Sequence, residues 1–157
     1  MNTININEIC IKGDLNKLIK LQQKKIIFKY DENAIKWASV YGHIHILDWF
    51  KNSGFEFKYD ERAINYASIN GNVNVLEWFK NSGYEFKYCK KSIRWASMSS
   101  HVNILEWFKN SGYKLKYDNC AINISLTSGK TGKTDILKWF KNNAYKTKLN
   151  YIKQYKH

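Results

Sequence analysis

The chain has 157 residues, 44% of them hydrophobic and 25% charged, which is enough for one domain with a buried core and unlike the profile of a disordered segment. Its formal net charge of +13 is lopsided: residues 1–78 carry ten Lys/Arg and nine Asp/Glu, and residues 79–157 carry sixteen and four. Met1–Asp14 lacks the apolar run of a signal peptide, no stretch approaches the roughly 18 apolar residues of a membrane span, and Cys10, Cys89 and Cys120 fit neither a disulfide framework nor a zinc site. A reducing, cytoplasmic setting without membrane contact is expected.

Taken in chain order, the elements are copies of one unit. The first, at about 5–33, is decayed: Gly13 matches Gly42, Leu18 matches Leu47, and Phe28–Asp31 matches Phe57–Asp60. Glu8 and Lys20 stand where later copies carry aromatic rings, as expected of an N-terminal cap whose outer face meets water. Units 34–62 and 63–91 then align without a gap and share sixteen of 29 residues, and 92–120 continues the register. The string WFKNSG recurs at Trp49–Gly54, Trp78–Gly83 and Trp107–Gly112. A further unit, 121–152, has a three-residue insertion around Gly129–Gly132, and 153–157 is a basic tail. One domain over 1–157 with about five repeats is predicted.

Within a unit the order is helix, turn, helix, extended connector. Asp60 suits an N-cap with Glu61 in the first turn, and Ile64, Ala67 and Ser68 share one helical face. Gly71 is expected to end that helix and Asn72 to cap the next. The second helix carries Val73, Val75, Leu76, Trp78 and Phe79, an apolar arc of about 220°, too wide to be covered from one side. Gly83 closes it, and Tyr84–Tyr88 alternates like a short extended segment. Such units bury their surfaces only by stacking.

The run Ala38–Ser39–Val40–Tyr41–Gly42–His43, with a second glycine twelve residues after the first, resembles the ankyrin repeat. The resemblance extends from roughly Asn5 to Tyr151, and the short Trp-Phe-Lys-Asn-Ser-Gly form is similar to ankyrin arrays of giant DNA viruses of amoebae, which places the protein in a host cytoplasm. Two features depart from the family. Asp60–Ile64 replaces its Thr-Pro-Leu-His helix start, and the period is shorter than its usual ~33 residues. The missing residues fall between Gly83 and Ala96, in the family's β-hairpin finger. The resemblance therefore implies an all-α, ankyrin-like helix-turn-helix solenoid with short or missing fingers. Its function would be binding and not catalysis.

The candidate site is the row of first-helix positions that line the concave groove in that family. Here they are Trp37, Tyr41, Tyr66, Asn70, Trp95 and Ser99. With Ile64 at 0°, Tyr66 lies at about 200°, off the core face. The rings either bind a partner or merely cover one another. Trp49, Trp78, Trp107 and Trp139 are expected to pack between repeats. Lysines recur once per connector, and Glu56 and Glu85 give way to Lys114 and Lys146. Lys87, Lys114, Lys116, Lys146 and Lys148 thus outline a basic surface for an acidic protein or a phosphate backbone, or else a solvated face produced by AT-rich coding.

Gly129–Thr134 lacks the spacing of a phosphate loop, and His43, His45 and His101 do not form a metal set. No cofactor, metal or catalytic group is predicted. The reading is a monomeric module for an as yet unidentified protein partner, with a nucleic-acid scaffold as the alternative.

Overall fold

The computed structural model describes residues 4–127 and 131–143. Ten helices and no strand lie among them, and the helices run in pairs. These are α1 (Ile6–Lys12) with α2 (Leu15–Gln23), α3 (Glu32–Val40) with α4 (Ile44–Asn52), α5 (Glu61–Ile69) with α6 (Val73–Asn81), α7 (Lys90–Met98) with α8 (Val102–Asn110), and α9 (Asn119–Thr127) with α10 (Thr131–Asn143). The architecture is an all-α, ankyrin-like helical repeat solenoid. The connectors carry no β-hairpin among the described residues. The tail 153–157 and much of the three-residue insertion lie outside those residues.

Local chemistry sets where each pair begins and turns. The Oδ1 atoms of Asp31 and Asp60 accept from the backbone N–H groups of Asn33 and Arg62 at 3.0 and 2.9 Å, capping α3 and α5. Cys89 takes that place before α7 and makes no side-chain cap bond. Between paired helices the chain turns through a left-handed residue, Gly42 at φ 70° and Gly71 at φ 71°. A methyl group on Gly71 would lie 2.6 Å from Nδ1 of His101, so the next repeat also requires this glycine.

Asn72 does not cap α6 with its side chain, contrary to the sequence expectation. Its Nδ2 reaches back one repeat and donates to the carbonyls of Ser39 and Val40 at 3.0 and 2.8 Å. His43 Nε2 stands 3.0 Å from the Ile11 carbonyl, and Asn103 Nδ2 donates to that of Gly71 at 3.1 Å. The ends of α1 and α3 and the turn at Gly71 leave carbonyls without intrahelical partners, and the following repeat has the donors to meet them.

First helices stack more closely than second helices do. Ala34, Ala38, Ala63, Ala67 and Ala96, with Ser39, Ser68 and Ser97, are buried between successive first helices, and their small side chains let the backbones approach. Second helices are spaced by rings. Phe50, Phe79 and Phe108 are fully buried, and Phe57 stacks between Trp78 and Tyr84 at centroid distances of 5.5 and 4.4 Å. Small residues thus separate the first helices and rings separate the second helices.

Candidate interaction surface

Trp37, Tyr66 and Trp95 occupy one position of α3, α5 and α7, one residue before the buried alanines Ala38, Ala67 and Ala96, and all three are half-buried. The rings of Tyr66 and Trp95 lie 5.1 Å apart at 57°. Trp37 stacks on Tyr41 at 6.3 Å, and Tyr41, 53% exposed, stacks on the imidazole of His43 at 6.0 Å. Exposed Asn70 folds its Nδ2 onto the Tyr66 carbonyl at 2.9 Å, and the Ser99 N–H donates to the Trp95 carbonyl at 3.0 Å. The structure thus brings the predicted positions together as two ring groups, Trp37 with Tyr41 and Tyr66 with Trp95.

Between these groups lies a cation that the sequence reading passed over. Lys36 Nζ is 4.2 Å from the centroid of Trp37 and 5.9 Å from that of Tyr66, and it donates to Asn33 Oδ1 at 2.8 Å. Arg62 Nη1 donates to the same oxygen at 3.3 Å. Burial first, and then the positive charge of Arg62, lower the Lys36 pKa below the ordinary lysine value. The available signal was positional: lysine stands here where the next two repeats have Asn65 and Arg94.

The connector lysines have intramolecular contacts. Lys58, Lys87 and Lys116 place Nζ 5.3, 4.4 and 4.0 Å from the ring centroids of Tyr30, Tyr59 and Tyr88 in the preceding connector. The hydroxyls of Tyr59 and Tyr88 donate to the carbonyls of Glu85 and Lys114, both at 2.6 Å. Lys87 and Lys116 therefore help to join repeats, and the side chain of Lys114 is exposed. Lys146 and Lys148 lie outside the described residues.

The second-helix tryptophans pack against rings as expected and also hydrogen-bond. The Nε1–H groups of Trp78, Trp107 and Trp139 donate to carboxylates of Asp48, Glu77 and Glu106 at 2.6, 2.7 and 2.6 Å. Each acid is the residue just before the tryptophan of its own unit, a regularity present in the sequence. Ile19 fills the corresponding place in the cap, and the Trp49 N–H is buried without a partner.

Among the described residues the cysteines and histidines form no metal-binding group. Cys10 is buried, and burial pushes its thiol up to about 12, far from a nucleophile's range. His43 and His45 each engage a backbone carbonyl. Among the described residues no group of three His, Cys, Asp or Glu could hold a metal, and no helix is long and apolar enough to cross a membrane.

No curated protein matches the chain. Residues 35–79 match the model of the family described as ankyrin repeats (many copies). That segment includes Ala38–His43 and runs from α3 into α6, so the match and the stacked helix pairs together support an ankyrin-repeat protein.

Proposed function

We propose that this chain is a protein-interaction module whose partner lies along Trp37, Tyr41, Tyr66, Asn70, Trp95 and Ser99. Ankyrin repeats generally mediate protein–protein interaction and are generally not enzymes. One observation carries the reading: first helices close enough to bury every alanine between them leave Trp37, Tyr41, Tyr66 and Trp95 outside the core. Large rings on one face offer apolar area at low entropic cost, and Asn70 and Ser99 place polar groups between them.

The triple variant Trp37→Ala, Tyr66→Ala, Trp95→Ala tests it by affinity capture with mass-spectrometric identification. The expected outcome is loss of the wild-type partner with the far-ultraviolet helical signal retained. Retention of that partner by the variant would remove the groove from the account.

The positive charge of residues 79–157 supports a second reading, a nucleic-acid scaffold contacting Lys114 and its neighbours instead of the ring row. The same triple variant separates the two, because a lysine-held nucleic acid does not depend on the rings. The three cysteines support a reducing cytoplasm as the working compartment, and the short period with AT-rich composition supports a viral source. We expect a monomer, since the cap replaces the stacking rings with Glu8 and Lys20, and Glu8 is paired with Lys12 at 2.6 Å.

A further inference from the structure

The position of Lys36 bonds to the next helix pair in α5 and α7 but not in α3. Arg94 pairs with Asp118 at the start of α9, and Lys90 joins them at 3.5 Å. Asn65 is buried and accepts from Ser92 Oγ at 2.6 Å. By the same register Lys36 should meet Asp60, but Arg62 Nε takes that carboxylate at 2.8 Å. Lys36 is left with the neutral oxygen of Asn33, and no carboxylate lies within 4 Å of its ammonium among the described residues. It is therefore a half-buried cation between two half-buried rings, on the face proposed above as the binding surface.

We propose that Lys36 seats a carboxylate of the bound partner, an Asp or Glu side chain from a peptide segment whose neighbouring apolar groups lie on Trp37 and Tyr66. This rests on the groove reading and specifies the kind of segment the groove takes. A carboxylate supplies the charge-assisted bond that Asn33 cannot, and the partial burial of Lys36 between the rings strengthens it. Burial and Arg62 disfavour the charged lysine more than the nearby Asp31 and Asp60 favour it, and an arriving anion offsets that penalty. Asp31, Glu32, Asp60 and Glu61 at the starts of α3 and α5 repel any anion near the ammonium, so a single carboxylate flanked by apolar groups fits better than a phosphate backbone that repeats its charge along the groove.

A display library of random dodecapeptides, selected on the full chain, provides the probe. Selected peptides should carry Asp or Glu beside apolar residues, and replacing that acid by its amide should weaken binding about tenfold, the scale of one charge-assisted hydrogen bond. On Lys36→Met the same replacement should have no effect, and Lys36→Arg should restore it. Peptides that lose affinity on Trp37→Ala but carry no acid, or whose acid matters equally on Lys36→Met, overturn the carboxylate seat and leave the groove standing. Peptides that bind Trp37→Ala and Trp95→Ala undiminished overturn both. A mixed-sequence oligonucleotide that displaces the peptides at ordinary salt, and needs Lys36 to do so, also overturns the assignment in favour of phosphate.

Discussion

Ser100 stands where the repeat turns on glycine, and it adopts φ 64° beside the 70° and 71° of Gly42 and Gly71. An L-residue in this region carries a cost of about 1–2 kcal/mol from its Cβ, part of which glycine returns through a freer unfolded chain. Ser100→Gly should therefore stabilise the protein by about 0.5–1 kcal/mol, read as a higher urea midpoint at unchanged slope. An unchanged or lower midpoint would mean that the Ser100 side chain makes a compensating contact. Gly71→Ala should do the opposite, because its new methyl meets the His101 ring as well as the backbone strain. The glycine register is plain in the sequence. The imidazole above it is not, since that contact depends on how closely two repeats approach.

At the scale of the element, the tryptophan–acid rungs connect successive second helices at their rims. Glu77 accepts from Trp107 Nε1 and from Asn81 Nδ2, and these bonds hold its carboxyl below the ordinary glutamate pKa. A carboxylate depressed in the folded state adds stability above its unfolded pKa, and that increment disappears as pH falls through the folded value. The rung should thus be intact at neutral pH and weaken from about pH 4.3 downward. Glu77→Gln keeps an acceptor for the indole but cannot titrate, so it should be less stable than wild type at pH 7, converge with it in acid and flatten the acid limb of stability against pH. Glu77→Ala should cost about 1 kcal/mol at pH 7. Equal acid limbs in wild type and Glu77→Gln would show that this carboxylate does not contribute.

The helices themselves were legible in advance because each announces itself locally. Asp31 and Asp60 cap, Gly42 and Gly71 turn, and the Ile64, Ala67, Ser68 face repeats at helical spacing. The packing role of the second-helix tryptophans was legible from the width of their apolar arc. What was hidden lies between repeats. Asn72 reads as a cap and instead donates across the interface to Ser39 and Val40. Lys36 reads as one more surface lysine until Arg62 is seen to occupy the acid that its register assigns to it. Pairings about 24 to 33 residues apart are invisible to local pattern, although the acid before each tryptophan shows that some leave a trace.

At the scale of the whole molecule, stability is the sum of units and the interfaces between neighbours, so a unit flanked on one side differs from one flanked on two. Leu18 of α2 and Leu76 of α6 are both fully buried, and truncating either to Ala removes packing worth about 2–5 kcal/mol. The consequences should diverge. Leu76 touches the array at its middle, where losing one unit uncouples both flanks, so Leu76→Ala should lower the melting temperature of a single cooperative transition. Leu18 holds only the cap, which can open while the units from α3 onward stay stacked. The sequence provides a way to see this, because all six tryptophans lie at or after Trp37 and the cap has none. Circular dichroism reports every helix, whereas indole fluorescence reports the array alone, apart from Trp49 where α4 meets the cap near Ile19. In Leu18→Ala the dichroism should begin to fall at lower temperature than the fluorescence, and in Leu76→Ala the two curves should coincide. Coincident curves in Leu18→Ala would mean that the cap and the array unfold as one block, and the description as additive units would fail.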